Sequence, residues 1–184
     1  MAFIHYDDMN GAKVQRDHLI ESGYRAADFA AKENPVKTWD GSRGMDIMDG
    51  NALGEGYRFE ALQGDDQIIS SKFDDIINGG DGNDRIVFGG GRDFAIGGDG
   101  KDQFVIDLAS LRAGDVMTIA DFQDVGDTIV FRNIDPHASM TQGIDGSIQV
   151  WADTVNGGRQ VVASLMTTGH EIYQFHNNMI SVVG

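Results

Sequence analysis

The chain has 184 residues, 29 acidic and 14 basic, for a net charge of -15. Asp outnumbers Glu 24 to 5, Gly is 25, Pro is 2 and Cys is 0. These figures argue against a helical bundle, which favours Glu over Asp, and against collagen, a disulfide scaffold, a thiolate zinc site and cysteine catalysis; the charge opposes nucleic acid or an anionic membrane as partner.

The 41% hydrophobic content is enough for a folded core. No stretch approaches 18 consecutive apolar residues, so no transmembrane helix is expected, and the first residues lack the basic and apolar regions of a Sec-type signal peptide. Residues 1–40 predict an N-terminal helical cap: a short strand from Phe3 to Tyr6, a helix from Ala12 to Glu21, and a second from Tyr24 to Glu33. Ala26, Ala27, Ala30 and Ala31 support the second helix, Gly23 separates the two, and Pro35 ends it.

Residues 41–105 are a repeat. They divide into the blocks GSRGMDIMD, GNALGEGYRFE, ALQGDDQII, SSKFDDIIN, GGDGNDRIV, FGGGRDFAI and GGDGKDQFV, and the five from 61 to 105 keep an unbroken nine-residue register. Asp recurs at the sixth place as Asp46, Asp66, Asp75, Asp84, Asp93 and Asp102, while Tyr57 takes that place in the longer block. The eighth place is apolar in Met48, Phe59, Ile68, Ile77, Ile86, Ala95 and Phe104. Each block reads as a six-residue turn and a three-residue strand whose middle side chain points inward. Gly serves where φ is positive and where carbonyl oxygens must converge. A hard cation such as Ca²⁺ takes 6–8 oxygens. One turn is too small for that, but two stacked turns, each with carbonyls and an Asp, suffice.

The pattern G-G-x-G-x-D-x-U-x, complete in 79–87 and 97–105, resembles the calcium-binding nonapeptide repeats of RTX (hemolysin-type) proteins. With Asp115, Val116, Ile119, Asp121, Phe122, Asp127, Thr128 and Ile129 beyond it, the segment 41–131 is similar to the C-terminal domains of serralysin-like proteases and the R-modules of mannuronan C5-epimerases. The resemblance implies a mainly β chain: a parallel β-roll over 41–105, two blocks to a coil, closed by a C-terminal β cap over 106–184. Asp46, Asp66, Asp84 and Asp102 then line one edge, and Tyr57, Asp75 and Asp93 the other. The expected ligand set is those six Asp with Gly64, Gly79, Gly80, Asp81, Gly82, Gly89, Gly91, Gly97, Gly98, Asp99 and Gly100, holding about three or four Ca²⁺. The first site pairs 79–84 with 97–102, the next pairs the Gly64–Asp66 turn with 79–84, and another pairs the Asp75 turn with 88–93. In degenerate blocks such as SSKFDDIIN, a purely structural turn fits as well as a calcium turn. The side chains of Asp65, Asp74, Asp81 and Asp99 are expected to be solvated, with some of these residues contributing backbone carbonyls. Asp121, Asp124 and Asp127 fit either a further calcium site or turn-forming acids.

In the cap, strands are predicted at 147–152, 159–166, 171–176 and 179–183, with a hairpin turn at Asn156-Gly157-Gly158. His170-Glu171 lacks the second His of a zinc protease helix, and there is neither G-x-S-x-G nor a P-loop, so no enzyme is expected. The resemblance implies a secreted, extracellular or cell-surface module, exported by a type I apparatus and folding on Ca²⁺ outside the cell. Competing uses are binding of a uronate polysaccharide and calcium-driven self-association. Only Arg112, Arg132 and Arg159 are cationic after residue 105, which weakens the polyanion option.

Overall fold

The computed structural model describes residues 37–122, 126–133, 139–142, 147–154, 158–166, 172–176 and 179–183. The strand and helices expected at 3–6, 12–21 and 24–33 lie outside them. Val36–Gly184 forms one compact unit. It is mainly β, with no helix among the described residues, and its centre is a parallel solenoid of about four turns.

The nine-residue period sends the chain alternately into two sheets. One contains β1 (Lys37–Asp40), β3 (Tyr57–Glu60), β5 (Ile76–Asp81), β7 (Arg92–Asp99) and β9 (Val116–Ile119), side by side and parallel. The other contains β2 (Ile47–Asp49), β4 (Gln67–Ile69), β6 (Arg85–Phe88), β8 (Gln103–Asp107) and β10 (Thr128–Arg132), likewise parallel. The roll thus begins at Lys37, within the zone whose sequence suggested helix, and Trp39 pairs with Phe59.

Because side chains alternate along a strand, the eighth-place residues all face inward. In one sheet Met48, Ile68, Ile86, Phe104 and Ile129 are register partners in turn. In the other Phe59, Ile77, Ala95 and Ile119 are. These nine side chains are each at most 1% exposed. Phe88 and Phe122 both pack against Phe104, with ring centroids 6.4 and 6.1 Å away.

β5, with six residues, and β7, with eight, are the longest strands of the roll. β5 and β7 run on through the glycines that follow them, pairing Gly80 with Gly98 and Asp81 with Asp99. The glycine turns stack in the register of the sheet, so their amides continue the ladder. Gly64 N–H donates to the Asp81 carbonyl and Gly82 N–H to that of Asp99, each at 2.8 Å.

Beyond the repeat, the same two sheets change direction. β11 (Ser139–Gln142), β12 (Ile148–Thr154) and β13 (Gly158–Leu165) extend the first, giving the order β1-β3-β5-β7-β9-β13-β12-β11. β14 (Ile172–His176) and β15 (Met179–Val183) extend the second, giving β14-β15-β10-β8-β6-β4-β2. β13 still runs parallel to β9, but β12 and β11 are antiparallel, as are β15 to β10 and β14 to β15. β12 and β13 pair from Thr154↔Gly158 outward, around the turn predicted there.

Candidate metal centre

Asp is short enough for its carboxylate to reach backbone amides near its own turn, which a longer Glu does less readily. In the roll the sixth-place Asp residues from Asp66 onward use Oδ1 to accept from the sixth-place amide of the coil before. Asp46 N–H donates to Asp66 Oδ1 (2.7 Å), Asp66 N–H to Asp84 Oδ1 (2.8 Å), and Asp84 N–H to Asp102 Oδ1 (2.9 Å). On the opposite edge Tyr57 N–H donates to Asp75 Oδ1 (2.7 Å) and Asp75 N–H to Asp93 Oδ1 (2.9 Å). The structure therefore divides the six Asp between two edges, as the alternation of blocks requires.

The second carboxylate oxygen distinguishes the edges. Asp66, Asp84 and Asp102 are each at most 2% exposed, and Oδ2 of each is buried without a hydrogen-bond partner. A stranded buried acceptor costs about 1–3 kcal/mol, more when charged. These three oxygens recur one per coil on a single edge. A methyl on Gly79 would collide with Asp84 Oδ2 and the Gly97 carbonyl oxygen, and one on Gly97 would collide with Asp102 Oδ2. Gly at the first place thus leaves the carboxylate oxygen its space, next to a carbonyl of the following coil. Gly80 and Gly98, both at φ +102°, and Gly82 and Gly100, at +137° and +144°, hold a backbone that residues with a side chain rarely adopt.

Burial, reinforced by neighbouring carboxylates, pushes Asp84 up to about 6 and Asp102 up to about 8, with Asp66 raised in the same way. For Asp102 the added negative neighbours are Asp127, Asp84 and Asp121. Such a stack resists ionisation until positive charge is supplied. Among the described residues no three His, Asp or Glu side chains converge into a metal-binding group. A cation here would draw most of its ligands from backbone carbonyls, which suits a hard ion such as Ca²⁺ and not Zn²⁺. The donor set that fits is Asp66, Asp84 and Asp102 with the glycine turns 79–82 and 97–100.

The other edge has donors of its own. Asp75 Oδ2 accepts from Ser71 N–H (2.7 Å) and Ser71 Oγ (2.8 Å), and Asp93 Oδ2 accepts from Ser70 Oγ (3.1 Å). Asp46 Oδ2, at the start of the first edge, accepts from Ser42 N–H (2.6 Å) and Ser42 Oγ (2.9 Å).

A family profile, RTX calcium-binding nonapeptide repeat (4 copies), matches residues 60–95. No curated protein matches the chain. Repeat profile and parallel solenoid agree with one another.

This is an RTX β-roll.

As an RTX roll the chain carries calcium-binding repeats, and the remaining acids can be placed against that frame. Asp81 and Asp99 offer backbone carbonyls to the turns: these receive the glycine amides of the preceding coil, while the side chains are exposed and Asp81 Oδ2 accepts from Gln63 Nε2 (3.0 Å). The fifth-place residues form a second ladder running the opposite way. Asp65 Oδ1 accepts from Asn83 N–H (2.8 Å), Asp74 Oδ1 from Arg92 N–H (2.8 Å), and Asn83 Oδ1 from Lys101 N–H (3.0 Å). Gly89 and Gly91 lie in the turn beside Ser70, Ser71 and Phe73, where a Cβ would strike backbone.

Two acids beyond the repeat finish the roll. Asp121 spans the amides of Gly97 (2.9 Å) and Gly98 (2.8 Å), one with each oxygen, and Asp127 Oδ1 accepts from Asp102 N–H (2.9 Å). Both carboxylates cap the last coil; Asp124 lies outside the described residues. The sequence signal for this role was weak, because 23 to 25 residues separate these acids from their partners instead of 18. The serines were missed as well: without turn geometry, Ser in place of Gly reads only as a weakened repeat.

Proposed function

We propose that this calcium-binding roll is a secreted, non-enzymatic module that completes its folding when it meets Ca²⁺ outside the cell. The observation that carries the reading is the row of buried, unpartnered Oδ2 atoms on Asp66, Asp84 and Asp102. Stacked carboxylates destabilise the roll until a divalent ion lies among them. Bound Ca²⁺ supplies two positive charges per site and satisfies those oxygens and the glycine carbonyls together. We take the ions to number about three or four, most of them on this edge. Extracellular calcium modules bind at roughly 0.1–1 mM. At ~10 mM calcium, one site with Kd ~0.3 mM adds about 2 kcal/mol of stability. Several sites of that strength decide whether the middle of the chain folds. Export by a type I apparatus suits a chain that stays unfolded where calcium is scarce. Surface or matrix association is the role this architecture favours.

Circular dichroism of the full chain across a calcium titration, with EGTA as reference, checks the reading. The β signal and melting temperature should rise with a midpoint in the ~0.1–1 mM range. Identical spectra and melting temperatures in EGTA and in calcium would sink it. A glycan array with and without calcium, and light scattering during the titration, separate surface association from polysaccharide binding and from self-assembly.

A further inference from the structure

Two turns of the roll are built differently from the glycine turns. In 70–75 and again in 41–46, Ser occupies the second place, where 79–84 and 97–102 have Gly. The two serines make the same bonds. Each donates its amide and its hydroxyl to Oδ2 of the Asp four residues later, and each Oγ receives the amide two residues on, Phe73 N–H at 3.1 Å and Gly44 N–H at 3.2 Å. No residue of either turn has a φ in the left-handed region, whereas 79–84 needs it at Gly80 and Gly82. In 70–75 the serine bonds are buried, and Ser70 and Ser71 are both 0% exposed.

The consequence is clearest on the Asp75–Asp93 edge. The Asp75 carboxylate accepts from Tyr57 N–H, Ser71 N–H and Ser71 Oγ. Asp93 Oδ2, the atom equivalent to the unpartnered oxygens of Asp84 and Asp102, receives Ser70 Oγ, whose other side accepts Gly89 N–H at 2.9 Å. Phe88, at the first place of its block, buries its ring in the core where Gly79 and Gly97 have no side chain. Each oxygen of both carboxylates thus has a donor from within the chain.

We propose that Ser70 and Ser71 take the place of a calcium ion on the Asp75–Asp93 edge, so that this edge forms without metal while the Asp66–Asp84–Asp102 edge requires it. The proposal rests on the calcium reading of the first edge and narrows it, because the third site expected between the Asp75 turn and 88–93 is filled by protein donors. One edge then stays ordered in low calcium and templates the other as ions arrive. The serines set how much of the roll responds to the metal.

Calcium stoichiometry by titration calorimetry on the full chain tests this, with folding at saturating calcium verified by circular dichroism. Three proteins are compared: wild type, Asp75→Asn, and a variant in which Ser70→Gly, Ser71→Gly and Phe73→Gly give the turn the glycine pattern of 79–84. Asp75→Asn should bind as many ions as wild type, and the glycine variant should bind one more. One ion fewer in folded Asp75→Asn overturns the proposal and leaves the calcium reading intact. An unchanged count in the folded glycine variant also overturns it. If the glycine variant does not fold, Asp75→Asn alone decides. A wild type that binds no calcium removes the calcium reading itself, and this inference with it.

Discussion

At the residue scale, the roll turns on which atoms of a side chain or turn are left over once the backbone is paired. Leu62 stands at the second place of its block, where Gly80 and Gly98 sit at φ +102°, and it adopts φ +78° with a half-exposed side chain. A non-glycine residue there costs about 1–2 kcal/mol, and its side chain makes little compensating contact. Leu62→Gly should therefore stabilise the calcium-loaded protein, by about 0.5–1 kcal/mol after the larger entropy of the unfolded glycine is subtracted. Urea unfolding at fixed calcium reads that gain. The buried acids set the response to pH. Asp84 at about 6 and Asp102 at about 8 lie above the ordinary carboxylate value of ~3.9 that the unfolded chain retains. Between roughly pH 4 and 8 the metal-free roll thus holds more protons than the unfolded chain, and its stability falls as pH rises through that window. In EGTA, the melting temperature should be higher at pH 5 than at pH 8. Asp102→Asn keeps an oxygen for the Asp84 amide and carries no charge. It should raise the pH 8 melting temperature in EGTA, make little difference at pH 5, and weaken calcium binding. A wild-type apo melting temperature that climbs from pH 5 to pH 8 would contradict this account.

At the scale of the elements, each short strand contributes one large side chain to the core and depends on its neighbours for everything else. Ile86 on β6 sits between Ile68 and Phe104 and is 0% exposed. Ile86→Ala removes buried methylenes from a slot that two flanking strands hold open, and should cost about 2–5 kcal/mol. Chemical denaturation in calcium measures it. The same dependence explains why some elements were legible in the sequence and others less so. The strands around Ile68, Ile77, Ile86 and Phe104 were readable because their spacing repeats, and the hairpin of β12 and β13 was readable from Asn156-Gly157-Gly158. The extension of β5 and β7 through glycine was not, since glycine reads as turn in isolation and joins the ladder only when another glycine turn stacks on it. β1 was hidden for a similar reason: Lys37–Asp40 has no repeat signature and becomes a strand by pairing with β3.

For the whole molecule, the open question in any solenoid is how it stops. Parallel coils expose a fresh row of amides and carbonyls at each end. Here Asp121 takes the amides of Gly97 and Gly98, Asp127 takes that of Asp102, and both sheets then turn antiparallel at β12 and β15. The cap therefore holds the last glycine turn in position, next to the Asp102 oxygen that awaits a partner. Asp121→Ala strands two backbone donors, one of them buried, and should cost about 2–4 kcal/mol. It should also shift the calcium midpoint to higher concentration, because the ion must then organise a looser turn. Calcium-dependent circular dichroism of that variant reads both effects, and an unchanged midpoint would separate the cap from the metal edge.

The amino-acid sequence by itself determined the coil. Asp at the sixth place, an apolar residue at the eighth and glycine between them define a nine-residue unit of turn and strand, because each rule acts within nine residues and repeats; its resemblance to RTX repeats implied a parallel roll with carboxylates on two edges. It also determined the chemistry, since oxygen donors without Cys suit a hard cation. Only the tertiary structure decided which carboxylates lack partners. Asp75 and Asp84 have the same place in the repeat, yet Oδ2 of one takes two donors from Ser71 and Oδ2 of the other is buried without a partner beside glycine. That difference depends on hydrogen-bond directions within a folded turn and on the coil stacked against it, and neither exists until the chain has folded.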